Sequence, residues 1–134
     1  MMLRRGPKGF TLIEMVIVFT LIGVLVGLAL PQYQNAMRKA RESVLRETLF
    51  QMRKMIDQYY SDKGKYPASL QTLIDENYLR KMPEDPFTHK TDVWIEVREQ
   101  PSVDELESGQ IFGVVDVHLS SEGKGLDGTP YNTW

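Results

Sequence analysis

The chain has 134 residues, a formal net charge of −2 and no cysteine. This length allows one domain of modest size, and the charge gives no basic bias towards nucleic acid. The missing cysteine excludes disulfides, thiol catalysis, Cys-ligated zinc and a lipid-modified cysteine. A small exported domain would then need another staple, such as a metal or neighbouring subunits.

Residues 1–9 carry Arg4, Arg5 and Lys8 and no acid, a short basic leader. Residues 10–30 read FTLIEMVIVFTLIGVLVGLAL, 21 residues with a single charge, Glu14. As a helix they span ~31 Å, about one bilayer core. A soluble core helix would show a polar face, and this segment has none, so it is expected to enter a membrane. Three fates compete. In a cleaved secretory signal, Gly27-Leu28-Ala29 would be the cut site, but the apolar run exceeds the usual length of about 7–15 residues. An unprocessed anchor needs no motif. Cleavage ahead of the apolar run needs one.

A candidate motif is Lys8-Gly9-Phe10-Thr11-Leu12-Ile13-Glu14. It resembles the class III signal of type IV pilins and pseudopilins: a short basic leader, Gly, Phe, an apolar run and Glu at the fifth mature position. Pro31, at the end of the hydrophobic stretch, matches the same family. The resemblance implies that a prepilin peptidase cuts after Gly9 on the cytoplasmic side and N-methylates Phe10. It also settles orientation, because basic residues stand at both ends of the segment: Arg4, Arg5 and Lys8 before it, Arg38, Lys39 and Arg41 beyond it.

Glu14 costs roughly 2.5–3.5 kcal/mol at a bilayer centre and less near its edge. No Lys, Arg or His lies between Thr11 and Gln34 to pair with it. Cleavage creates an α-amine on Phe10, and the amine of one subunit can meet Glu14 of the next in a staggered filament. The alternative is a carboxylate that snorkels to the interface. Gly23 and Gly27 form a Gly-x-x-x-Gly pair that permits close helix approach. With Pro31, which favours a kink or a local break, they would loosen the helix as the subunit leaves the bilayer.

Helical periodicity continues past Pro31 through Met37, Ala40, Val44, Leu45, Leu49, Met52, Ile56 and Tyr59. Arg38, Lys39, Glu42, Arg46, Arg53 and Lys54 fill the remaining surface, with Glu42–Arg46 as an i,i+4 pair. The spacing predicts one helix over 10–60, a rod of ~75 Å. Its apolar stripe is expected to face the following domain. Arg38-Lys39-Arg41 reads as a solvated or lipid-headgroup-facing cluster. Gly64-Lys65-Tyr66-Pro67 breaks the chain, and a short helix is expected over about 69–79, started by Ala68 or Ser69. Residues 93–98 predict a strand with Val93, Ile95 and Val97 on one side, and 111–119 a second strand. Between them, 99–110 is an acidic loop. The end is rich in Gly and turn formers.

This order resembles the major (G-type) pseudopilin of the type II secretion system. The local matches are Gly64-Lys65-Tyr66-Pro67, Leu79 through Asp85-Pro86, and Asp127-Gly128-Thr129-Pro130-Tyr131 ending in Trp134. Two departures stand out. Phe87-Thr88-His89-Lys90 replaces the family's Trp-Gly-Asn-Pro-Tyr, and the acidic loop looks like an insertion. The resemblance implies Ca²⁺ in the loop 119–129. Asp127 would be the main side-chain ligand, with Ser121, Glu122 and the carbonyls of Leu119 and Gly125. Calcium takes about six to eight oxygens. From the residues alone, the loop reads as a Gly-rich turn with one Asp for turn geometry, and calcium enters only through the resemblance. His89 and His118 are lone histidines, and no catalytic constellation stands out, so no enzyme is expected.

The expected fold is α+β. A long N-terminal helix, half membrane-spanning and half amphipathic, packs on a small domain with a short helix and antiparallel strands. The divisions are a leader over 1–9, a transmembrane and filament-core helix over 10–30, an amphipathic half over 31–62 and a globular periplasmic domain over 63–134. The expected role is a pseudopilus subunit in the inner membrane. Its partners would be copies of itself, minor pseudopilins, the prepilin peptidase, an inner-membrane assembly platform and lipid, with no nucleic acid. A type IV pilus subunit is the nearest rival. A membrane-anchored periplasmic binding domain is another, and it would need neither cleavage at Gly9 nor Glu14.

Overall fold

The computed structural model describes residue 2, residues 6–106 and residues 109–134. Arg4 and Arg5 of the basic leader, and residues 107–108 of the acidic loop, lie outside the described residues. Two helices, α1 (Leu12–Lys63) and α2 (Leu70–Asp75), precede two strands, β1 (Trp94–Arg98) and β2 (Val114–Leu119). A 3₁₀ turn, Tyr131–Thr133, closes the chain. This is the α+β arrangement expected. The chain divides into two compact units, Met1–Met37 and Arg38–Trp134, with the division inside α1.

In the first unit the side chains from Phe10 to Leu30 are almost all exposed, large apolar ones included. Gly23 and Gly27 have nothing within 4 Å of where a Cβ would stand. Thr20 returns its hydroxyl to the Val16 carbonyl at 2.7 Å, which satisfies it without water. Of the kink or local break expected at Pro31, the break is absent, since the helix continues through it. Pro31 has no N–H to give the carbonyl of Gly27, so the local cost is one missing bond.

In the second unit α1 buries Glu42, Leu45, Leu49, Met52, Ile56 and Tyr59. Their steps of three and four residues hold one face of the helix inward. They meet Leu70, Leu73, Val114, Val117, Leu119 and Tyr131 in one core. Each fully buried aliphatic side chain contributes ~1.5–3 kcal/mol of transfer free energy. Val44, assigned to the stripe from sequence, is exposed instead, and Glu42 takes a buried place. Counting back three residues from Leu45 lands on Glu42, so the row itself dictates the exchange.

α1 ends where Gly64 takes φ +69° and donates its N–H to the Tyr60 carbonyl at 2.8 Å. Ser69 caps α2 by accepting from the Thr72 amide. α2 is shorter than expected because Asn77 adopts φ +63°, and the amides of Tyr78 and Leu79 both turn back to the Leu73 carbonyl. The two strands pair antiparallel, Trp94 opposite Leu119, with an irregularity between Val97 and Arg98. That bulge lets both Val114 and Val117 face the core. At β1 burial does not follow the strict alternation expected, and Val93 packs against the core beside Trp94. Trp94 packs on the core and donates its indole N–H to the Pro83 carbonyl at 2.9 Å, while Ile95 is 47 % exposed. Glu96 accepts the Leu70 amide at 2.8 Å, so a carboxylate on β1 serves the first turn of α2. β2 begins at Val114 rather than 111, and Gly113 just before it lies against Tyr66, where an added Cβ would stand 2.4 Å from the Tyr66 Cβ.

Candidate functional site

Of the residues expected to govern processing and assembly, Gly9, Phe10 and Glu14 lie together at the start of α1, while Pro31 stands in its interior. Gly9 and Phe10 precede the helix in irregular, exposed backbone, and among the described residues, chain neighbours aside, no atom lies within 4 Å of a Cβ placed on Gly9. The peptide bond between them is therefore exposed. Thr11 is the residue before the helix and Glu14 the third inside it. The Thr11 hydroxyl accepts the Glu14 amide at 3.2 Å, and the Glu14 carboxylate accepts the Thr11 amide at 3.4 Å. This reciprocal pair is a capping box, which satisfies two otherwise orphaned amides. Sequence reasoning sought a basic partner for Glu14 and missed this one. The signal was the Thr-x-x-Glu spacing itself. The carboxylate thus has a local partner before any neighbour arrives.

The second cluster ties the C-terminal loop to the outer half of α1. Arg38, Glu42 and Arg46 recur every four residues, on one side of the helix. Arg38 donates to the Lys124 carbonyl and to the Tyr131 hydroxyl. Glu42 is only 8 % exposed and accepts both the Leu126 amide and the Tyr131 hydroxyl, each at 2.9 Å. Arg46 pairs with Asp127 at 3.1 Å and lies 4.2 Å over the Trp134 ring. Further along, Arg53 pairs with Asp116 at 2.6 Å and donates to the carbonyls of Val117 and Trp134. The helical pair expected from sequence, Glu42 with Arg46, is therefore replaced. Glu42 is drawn inward by loop donors and lies 3.6 Å from Arg38, while Arg46 is drawn to Asp127. Arg38, expected as a solvated member of a basic patch, is 46 % exposed at its side chain but also bonds to the loop. Exposed ion pairs of this kind contribute ~0–1 kcal/mol each, whereas the buried acceptor Glu42 has two donors that depend on it.

The residues expected to hold calcium are spread over the loop. Leu119 ends β2 opposite Trp94 and is buried. The Ser121 hydroxyl accepts the Gly123 amide at 3.2 Å. Glu122 is exposed. Gly125 and Asp127 are brought together: a Cβ on Gly125 would stand 2.9 Å from the Asp127 Oδ1 and 2.5 Å from the Trp134 ring. Asp127 Oδ1 accepts the amide and hydroxyl of Thr129, at 2.9 and 2.6 Å. Its Oδ2 faces Arg46. Those Thr129 bonds, first, and then Arg46 hold the carboxyl below the usual aspartate range. Among the described residues no three His, Asp or Glu side chains converge as a metal site. Asp127 is thus engaged at both oxygens, by Thr129 and by Arg46, while the loop's other carboxylate, Glu122, is exposed.

His118 lies 2.9 Å from the Trp134 carbonyl and 3.5 Å from Asp116, and His89 lies 3.9 Å from Glu84. Asp85 is buried but fully used, accepting the amides of Phe87 and Thr88 and the Thr88 hydroxyl in a tight turn.

Comparison with known proteins bears on both clusters. Residues 4–30 match the family model of the prokaryotic N-terminal methylation motif. Fimbrial protein EcpC of Eikenella corrodens is 42 % identical over 67 residues, covering 50 % of this chain and 44 % of that protein. The chain thus spans less than half of that relative's length. Type II secretion system core protein G of Klebsiella michiganensis is 28 % identical over 64 % of this chain and 72 % of its own. The core protein G of Aeromonas hydrophila is 25 % identical over 95 % of this chain and 88 % of its own. No solved structure matches. The chain is thus similar to pilin-like proteins, and its similarity to core protein G extends well past the N-terminal helix.

Proposed function

We propose that this pilin-like chain is a structural subunit of a type II secretion pseudopilus, held in the inner membrane, cut at Gly9–Phe10 and polymerised to drive protein export across the outer membrane. One observation carries the reading: an exposed apolar helix headed by an open Gly9–Phe10 bond and the capped Glu14 stands on a chain similar to a core protein G over 95 % of its length. Lipid covers the apolar side chains before assembly, and neighbouring copies cover them afterwards. Arg38–Trp134 stays on the periplasmic side. Cleavage after Gly9 exposes an amine on Phe10, which the same processing enzyme methylates. A methylated amine keeps its positive charge. As a subunit joins the fibre, its Glu14 exchanges the weak Thr11 amide contact for the Phe10 amine of its neighbour, a charge-assisted bond in a dry environment. The exchange offsets the cost of keeping a carboxylate among apolar helices.

A second reading, a type IV pilus subunit, is favoured by the higher identity to EcpC over the first half of the chain. Deletion of the gene in its own host separates the two. Accumulation of exoproteins in the periplasm with surface fibres intact supports the pseudopilus, and loss of surface fibres with normal export supports the pilus.

A further inference from the structure

We propose that Arg46 is the resident cation of the C-terminal loop, and that its guanidinium orders residues 123–134 in place of a bound divalent ion. The inference is independent of the filament reading. Four residues form a closed circuit. Arg46 donates to Asp127 Oδ2 at 3.1 Å; Thr129 donates its hydroxyl to Asp127 Oδ1 at 2.6 Å. The Trp134 indole N–H donates to the Thr129 hydroxyl at 2.6 Å, and Arg46 lies 4.2 Å over the Trp134 ring. Each member thus fixes the next, and the circuit returns to its start.

A calcium ion sits about 2.3–2.6 Å from its oxygen ligands. Placed on Asp127 Oδ2, it would stand no more than about 5.7 Å from the Arg46 nitrogen already 3.1 Å away. Two cations at that separation, sharing one carboxylate, repel each other, and Arg46 is tethered to a helix. The neighbours on its side of α1 act in the same sense: Arg38 takes the Lys124 carbonyl and Glu42 the Leu126 amide. The loop's backbone is thereby held on both sides of Gly125, whose missing side chain admits the Trp134 ring. Guanidinium suits this role better than ammonium, because it is planar and can stack and donate at once.

The test uses the full chain in detergent, followed by tryptophan emission during heating. The wild type should melt at the same temperature after EDTA treatment and after addition of excess calcium chloride. Arg46→Gln should melt lower by on the order of 5 °C, and Arg46→Lys should fall between. A wild-type melting temperature that drops with EDTA and returns with calcium would overturn the proposal, as would an Arg46→Gln chain that melts like the wild type. The EDTA arm decides the question even if the Arg46 variants do not fold.

Discussion

The carboxylate of Glu42 accepts the hydroxyl of Tyr131 at 2.9 Å, although the two residues lie 89 positions apart. The same oxygen accepts the Leu126 amide, so one side chain on α1 fixes two points of the C-terminal loop. Glu42→Ala would leave the Tyr131 hydroxyl unpaired towards Glu42 in a buried site and the Leu126 amide in a part-buried one. The expected cost is about 1–3 kcal/mol, read as a fall in melting temperature of roughly 4–8 °C per kcal/mol. Glu42→Gln keeps an acceptor oxygen and should lose less. Equal melting of Glu42→Ala and the wild type would contradict the arrangement.

Gly113 and Gly64 are needed for different reasons, and alanine at each should separate them. At Gly113 a Cβ would meet the Tyr66 Cβ at 2.4 Å and Tyr66 backbone atoms at 2.9 Å. Backbone does not yield as a side-chain tip does, so about 1–3 kcal/mol or more is expected. At Gly64 there is open space, but φ is +69°, and the cost is conformational, roughly 1–2 kcal/mol. Denaturant unfolding of the two variants should rank Gly113→Ala as the less stable.

The Tyr78 hydroxyl donates to Asp62 at 2.8 Å, and that bond, with burial and the Asp62 charge behind it, pushes its pKa up to about 12. The folded value lies above the ordinary tyrosine value of 10.0. Its contribution is therefore complete below pH 10 and is lost as pH rises through about 12. Melting temperatures measured across that window should fall less steeply for Tyr78→Phe than for the wild type. An identical slope would remove Tyr78 as the cause.

How much of this was legible in the sequence depended on distance along the chain. The apolar row from Leu45 to Tyr59, the stop at Gly64 and the start at Ser69 follow from local spacing and were anticipated. The boundary of α2 was not, because Asn77 at φ +63° ends it and asparagine only permits that conformation. The burial of β1 does not follow the alternation of Val93, Ile95 and Val97, because Val93 and Trp94 both pack against the core while Ile95 is 47 % exposed. The C-terminal cluster lay furthest from view. Glu42–Arg46 is a sound helical pair until Tyr131, Leu126 and Asp127 arrive from more than 80 residues away. The Thr11–Glu14 cap, by contrast, was local and readable.

Glu14→Ala should still allow cleavage at Gly9, because the bond lies outside the helix and is exposed. Assembly should fail, since the variant offers no carboxylate to a neighbouring amine. Cross-linking in membranes should show dimers and longer ladders for the wild type and monomers for Glu14→Ala. Ladders of wild-type length from the variant would sink the exchange proposed for Glu14.

The most direct measurement is the intact mass of the chain isolated from membranes. The account predicts a species that begins at Phe10, lacks residues 1–9 and carries one added methyl group. A species retaining Met1 or Met2 at its start, with no methyl group, would contradict it.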